Sequence, residues 1–291
     1  MRIAVILNER SGSLGDPEEF LRALGERTEI VSVHAPGEGA AAAATPGIDR
    51  LLVAGGDGTL GDAFAAAASA GLPLAVVPGG TANDFARALG LPDDRDAAIA
   101  LATEPQVTTQ PTWGGTVGGR PFVNVASVGL AVDAAERAEE LKSKLGPAAY
   151  AAGALHAGLV GRAVRTILTV DGEETARGSV YQLLVGASGR FGGGSGLGEA
   201  DPAHPQLVAA WVPATSRLEL PLRAAGLRRR TIEQQPGVEW WRADRLTVEA
   251  TVHHHPAPWN IDGERWHPPV GPVELERLGP VDVIVPGAAG H

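Results

Sequence analysis

Short apolar runs and polar breaks alternate through the first third of the chain. Residues 2–7 (Arg-Ile-Ala-Val-Ile-Leu), 30–33, 51–54 and 74–77 are nearly continuous apolar stretches, the pattern of strands buried on both faces. Helical stretches lie between them. Residues 17–27 have Pro17 early and Asp16 as a candidate N-cap. Residues 39–44 and 61–68 are alanine-rich helix formers, and a further short helix is expected over 95–103. The β-α-β-α-β order predicts a parallel sheet covered on both sides. After Pro105 the pattern changes to strands joined by turns, at 108–113, 120–126, 167–170, 180–186, 207–212, 246–252, 259–261 and 273–275. Asp171-Gly172 and Asp262-Gly263 are hairpin signals. Residues 131–165 read as two helices around Gly146-Pro147. The fold class expected is an α/β N-terminal domain with a parallel sheet, residues 1–107, and a mainly antiparallel β-sandwich with a helical insertion, residues 108–291.

Composition narrows the function classes. The chain of 291 residues is long enough for about two domains. A formal charge of −10 argues against general nucleic-acid binding. Cysteine is absent, which excludes disulfides and thiol chemistry and fits a cytoplasmic protein. The opening residues read as a strand rather than a signal segment, and no apolar run approaches the ~18 residues of a membrane span. One region breaks the acidic trend. Arg217, Arg223 and Arg228-Arg229-Arg230 interleave with Leu218, Leu220, Leu222 and Leu227, which suits either a solvated face or peripheral contact with the inner face of a membrane. An exposed edge of the β domain is a candidate for homodimer pairing. His253-His254-His255 on a strand would bring at most two imidazoles together, so a solvated strand end is expected there. Trp211, Trp259 and Trp266 are expected to pack the β domain, and Trp240-Trp241 to be buried at least in part.

Candidate chemistry gathers at strand ends. Gly55-Gly56-Asp57-Gly58-Thr59-Leu60 lies between a strand and a helix. Its glycines allow a sharp turn and close backbone approach, and the helix start offers unpaired N–H groups to phosphate. Asp57 among them suits Mg²⁺ binding or proton transfer. A second glycine turn, Pro78-Gly79-Gly80-Thr81-Ala82-Asn83-Asp84, follows the next strand, with Thr81 as expected N-cap and Asp84 three residues on. Asn8, Ser11 and Gly12 follow the first strand, where an open parallel sheet takes its ligands.

These motifs together resemble the catalytic-domain signature of the diacylglycerol kinase and sphingosine kinase family, in its bacterial single-chain form. The likeness rests on residues 55–60 and on Pro78 to Arg87, and extends through Asn8-Glu9-Arg10-Ser11-Gly12 and Phe122-Val123-Asn124-Val125-Ala126-Ser127-Val128-Gly129. It continues in Leu145-Gly146-Pro147, Phe191-Gly192-Gly193-Gly194 and Asp262-Gly263-Glu264. NAD kinases share only the first glycine turn. The resemblance implies a two-domain kinase using ATP and Mg²⁺. Asn8, Ser11, Gly12, Gly56, Asp57, Gly58, Thr59, Asp62 and Thr81 would line the nucleotide site, Glu264 would be the general base, and Asp57 would bind metal or share the base role. Asp62 stands where the family has Glu, and Ala187-Ser188-Gly189 replaces an Asn-Gly. The region of Asp201 lacks the Asp-Asp-Gly turn that helps bacterial members hold a structural Mg²⁺, so no second metal site is expected. Three readings follow: a kinase for diacylglycerol or a related lipid, a kinase for a soluble hydroxylated metabolite, and a nucleotide-binding regulator without turnover.

Overall fold

The computed structural model describes residues 1–129 and 163–287. The helical insertion expected over 131–165 falls outside them, save for its last residues, where the strand Val164–Val170 has begun. Four strands, β1 (Arg2–Leu7), β2 (Glu29–His34), β3 (Arg50–Gly55) and β4 (Leu74–Pro78), lie in the order β2-β1-β3-β4, every neighbouring pair parallel. Five helices accompany them: α1 (Pro17–Gly25), α2 (Gly39–Ala43), α3 (Asp57–Ala70), α4 (Asp84–Ala88) and α5 (Arg95–Thr103).

Strand alternation divides the sheet's side chains between two layers. Ala4, Ile6, Leu51, Val53, Leu74 and Val76 meet Leu60, Ala63, Phe64 and Ala67 of α3. Ile3, Val5, Leu52, Ala54, Ala75 and Val77 meet Phe20 and Leu24 of α1 and Ile99 and Ala102 of α5. Each fully buried Leu, Ile or Phe contributes roughly 1.5–3 kcal/mol. The two layers therefore hold the strand ends firmly where the glycine turns leave them. The chain steps from β1 outward to β2, then returns to β3 on the other side of β1. That reversal opens a crevice at the carboxyl ends of β1 and β3, the place such sheets bind ligands.

The second half is the antiparallel sandwich. Val125–Gly129, Glu173–Gly186, Val164–Val170, Arg245–Val252 and Val273–Val285 pair in sequence across one sheet. Leu207–Pro213 pairs with Glu173–Gly186 and with Glu239–Ala243. Phe122, Leu168, Trp211, Leu246 and Trp259 fill the core, with Trp241 and Trp266 packed against it, while Trp240 is exposed. The final strand, Val273–Val285, runs antiparallel to Thr108–Val117 and touches β4 in parallel at Val283–Leu74. It thereby ties the sandwich to the N-terminal sheet.

Three departures from the sequence reading have local causes. The single strand expected over 120–126 is broken into Arg120–Phe122 and Val125–Gly129. The N–H groups of Val123, Asn124 and Val125 turn to the carboxylate of Asp262 instead of to a neighbouring strand. The leucine- and arginine-rich stretch folds as a 3₁₀ turn, Arg217–Glu219, followed by a helix, α6 (Leu220–Arg229). His253 and His254 are not a strand end but the turn of a hairpin, at φ 50° and 68°. All three histidines are exposed there, and no group of three potential metal ligands occurs among the described residues.

Candidate active site

The two glycine turns meet backbone to backbone. A Cβ added to Gly80 would lie 2.7 Å from Gly56 Cα, and one added to Gly56 would lie 3.1 Å from Gly80 Cα. Any side chain at either position would push the turns apart, so glycine is required by close approach. Gly79 N–H donates to Gly55 O at 2.8 Å, and Ser13 Oγ donates to Gly79 O at 2.5 Å. Gly56 caps α3 without a side-chain hydrogen bond. The start of a fourteen-residue helix therefore lies at the crevice with no side-chain cap on its first N–H groups.

Asp57, the first residue of α3, holds this arrangement together. Its Oδ2 accepts from Asp84 N–H at 3.0 Å, and its Oδ1 accepts from Phe85 N–H at 3.1 Å and from Asn124 Nδ2 at 3.0 Å. This corrects the expected cap of α4. Thr81 is exposed in the turn, and the residue before the helix is Asn83, in a left-handed conformation at φ 50° with its side chain accepting from Gly80 N–H. The capping oxygens come instead from Asp57, an element away. Three donors engage Asp57, which leaves little of its carboxylate open to a metal.

Across the crevice, the turn Asp262-Gly263 aims the Asp262 carboxylate at the backbone of residues 123–125, and Asp262 N–H donates to Val125 O at 3.1 Å. Oδ2 accepts from Val123 N–H at 2.7 Å, and Oδ1 from Asn124 and Val125 N–H at 3.0 and 2.8 Å. Burial pushes Asp262 up to about 7, against the pull of these backbone donors and with Asp57 adding to the rise. Two residues on, Glu264 is exposed and reaches back to α3. Its Oε1 lies 3.3 Å from the position of a Cβ on Gly58. The Glu264 carboxylate has no hydrogen-bond or ion-pair partner among the described residues, while its backbone pairs with Ile261.

The sequence reading missed Asn124 as a site residue. It is buried, gives its Nδ2 to Asp57, takes a hydrogen bond from Ser188 Oγ at 2.6 Å on its Oδ1, and has its N–H on Asp262. The signal was there: one asparagine inside the apolar run Phe122-Val123-Asn124-Val125-Ala126, where a buried amide must find partners. Asp84 is a second such residue. Its Oδ2 accepts from Gly193 N–H at 3.0 Å, linking α4 to the glycine-rich loop, while Oδ1 is buried without a partner. Burial raises the Asp84 carboxyl above the usual range, Gly193 N–H opposes this, and Asp57 adds to it.

The other expected residues divide. Asn8 Nδ2 donates to Thr59 Oγ1 at 3.2 Å, joining the loops after β1 and β3 at the crevice. Gly12 is open, with nothing within 4 Å of an added Cβ, whereas Ser11 is buried and turned toward Gly79. Asp62, one turn along α3 from Gly58, accepts from Gly39 N–H at 2.7 Å and fixes α2 to α3. The open helix start and close-packed glycines fit a phosphate chain. For Mg²⁺ the described residues provide no cluster of three ligands, so they fit a metal brought by the phosphates rather than one held by protein alone.

An α/β domain with a parallel sheet joined to a mostly antiparallel β-sandwich is the two-domain arrangement of diacylglycerol kinase- and NAD kinase-like proteins. A diacylglycerol kinase from Bacillus anthracis strain Sterne superposes with a TM-score of 0.70 at 20% identity, over 98% of this chain and 97% of that one. An NAD kinase from Archaeoglobus fulgidus, in complex with ATP, superposes at 0.53 with 15% identity, over 98% and 93%. Residues 2–111 match the profile of the diacylglycerol kinase catalytic domain, and residues 124–288 that of the YegS C-terminal NAD kinase beta sandwich-like domain. A probable lipid kinase YegS-like of Pseudomonas syringae pv. tomato is 34% identical over 234 residues, 74% of this chain and 69% of that protein. Another, from Pseudomonas fluorescens, is 45% identical over 107 residues, 36% of this chain, and the match spans only 35% of its length. The chain belongs to the YegS-like family of diacylglycerol kinase-related proteins.

Proposed function

We propose that this protein transfers the terminal phosphoryl group of ATP to a hydroxyl of a lipid, with diacylglycerol or a related lipid as the acceptor. The observation that carries the reading is the approach of Glu264 Oε1 to Gly58, an unpaired carboxylate at the rim of a phosphate-shaped cradle. The names of the Pseudomonas relatives support the lipid class. ATP would supply the phosphoryl group, and the Mg²⁺ it carries would screen its charge. The α3 start and the paired glycine turns would hold the phosphates, with Asn8 and Thr59 bracing the crevice. The acceptor oxygen bonds to phosphorus as the bond to ADP breaks, and the hydroxyl proton passes to Glu264. A positioned base contributes about 10²–10⁴ in rate. Asp57 and Asp262 act as positioning residues, holding α4 and the break at Asn124 so that Glu264 meets α3 at the right distance.

The test is a labelled-ATP screen against detergent-solubilised diacylglycerol, extracted lipids and soluble hydroxylated metabolites in parallel. Label in a lipid product supports the proposal. Label only in soluble products assigns the same chemistry to a metabolite. ATP binding without transfer to anything overturns the kinase reading and leaves a nucleotide-binding regulator.

A further inference from the structure

The face built by α6 and the glycine-rich hairpin beside Asp84 is not used by the proposed reaction. Its composition runs against the rest of the molecule. Among the exposed large hydrophobics, Leu218, in the 3₁₀ turn before α6, is 91% and Leu222, in the first turn of α6, 55% accessible. The helix turns its other side inward. Arg223 is buried and bonded to Glu219, Gln235 and Pro236 O, and Gly226 is buried beside it. Arg223 is thus structural. It also neutralises Glu219, the one acid between 217 and 230. Arg229, seven residues after Leu222, lies on the same outward face.

The cations continue around the hairpin. Arg230 ends α6 at φ 56°, and its side-chain carbons lie 3.2–3.4 Å from the position of a Cβ on Gly196. Gly196 pairs across the hairpin with Arg190. Arg228 leans on Gly193 O at 3.4 Å. Among the described residues none of Arg190, Arg228, Arg229 and Arg230 makes an ion pair; burial disfavours the charge on Arg190, with Arg230 and Arg87 adding to this and the Asp84 carboxylate opposing it. Arg228, Arg229 and Arg230 are exposed, a local cationic patch in a chain of net charge −10. Asp84 and Glu233 lie close by, but both are buried, and a screening length of about 10 Å limits the reach of acids elsewhere on the chain.

We propose that this face docks on an anionic phospholipid bilayer, Leu218 and Leu222 entering the headgroup boundary while Arg228, Arg229 and Arg230 meet the lipid phosphates. No helix among the described residues is long and apolar enough to cross a membrane, so the contact is a surface one. Through Gly193 and Asp84 the same hairpin abuts the crevice, which puts the docked surface beside the cradle. Its purpose rests on the proposed lipid acceptor, but its test does not.

The full chain, without nucleotide or acceptor, is sedimented with vesicles of phosphatidylcholine alone and of phosphatidylcholine mixed with phosphatidylglycerol. Binding to the mixed vesicles, weakening as salt rises, is expected, with little binding to the neutral ones. The double variant Leu218→Glu/Leu222→Glu should bind at least about tenfold more weakly. Arg229→Glu should lose about tenfold, from the charge term. Val270→Glu and the single variant Leu218→Glu each add one negative charge at sites of equal exposure, and Val270→Glu, outside α6, should bind like wild type. Absence of binding to mixed vesicles, or equal losses in Val270→Glu and Leu218→Glu, overturns the proposal. Activity on detergent-solubilised acceptor reports separately on the kinase reading.

Discussion

The tripeptide Asp-Gly-Glu occurs twice in the sandwich and makes the same turn both times. Asp171-Gly172-Glu173 has φ 47° and 93° at its first two residues, and Asp262-Gly263-Glu264 has 47° and 97°. Each joins two antiparallel strands, and each glutamate opens the returning strand, exposed. Each aspartate also accepts backbone N–H groups from a third segment. Asp171 takes Asp244 and Arg245 at 3.1 and 2.9 Å, and Asp262 takes Val123, Asn124 and Val125. What differs is where that third segment leads. Asp171 fastens an exposed strand junction. Asp262 fastens a strand break whose asparagine reaches Asp57, so Glu264 is delivered to the start of α3 while Glu173 is delivered to solvent. Turn chemistry is common to both, and the second acquires its proposed role from the element it is tethered to.

The sharpest way to break this comparison is to neutralise both glutamates. Glu264→Gln should lower phosphoryl transfer about 10²–10⁴-fold with ATP affinity near wild type, because only the proton acceptor is lost. Glu173→Gln should leave kcat and KM unchanged. Paired steady-state kinetics and nucleotide titrations decide the matter, and equal activity in the two variants would remove Glu264 from the base role.

Next in size is the aspartate pair, read by urea unfolding. Asp262→Ala strands three buried N–H groups and should cost about 2–4 kcal/mol, whereas Asp171→Ala, at an exposed junction, should cost about 1 kcal/mol or less. The pH dependence has a definite sign. Asp262 stands at about 7 in the folded chain, above the roughly 3.9 of an unfolded aspartate. The folded state therefore keeps a proton that the unfolded state releases between those values. The stability this group contributes is full below about pH 4 and is lost as the pH rises through about 7. Relative to Asp262→Asn, wild-type stability should fall over that window and level off above it, while a matched Asp171→Asn series gives the background. A difference that rises with pH would contradict the burial of this carboxyl.

These contrasts also mark what the sequence could tell. Strands β1, β3 and β4 were legible because burial on both faces leaves unbroken apolar runs, and the cradle because only glycine tolerates the contact of Gly56 with Gly80. The cap of α4 was not legible. Thr81 and Asp84 have the local spacing of a capping box, but Asp57 provides the capping oxygens from a different turn, and no local window contains that competition. The break at Asn124 was hidden for the same reason, since its cause lies 138 residues away at Asp262. The leucines of residues 218–222 gave no inward-facing period, which is why α6 was seen only as a basic stretch.

The smallest effect expected tests the contact itself. At Gly58 an alanine Cβ would press on Glu264 Oε1 from 3.3 Å, so the carboxylate must shift by a few tenths of an ångström. Backbone strain does not enter, and alanine favours a helix over glycine by up to about 1 kcal/mol. Gly58→Ala should therefore hold or raise the melting temperature while lowering kcat about three- to tenfold through misplacement of the base. Gly172→Ala should do the reverse. It sits at φ 93° with open space around it, so it should cost about 1–2 kcal/mol in stability and leave kcat alone. Opposite signs in the two variants would separate position from stability. A Gly58→Ala protein with undiminished kcat would show that the distance between Glu264 and α3 does not govern transfer.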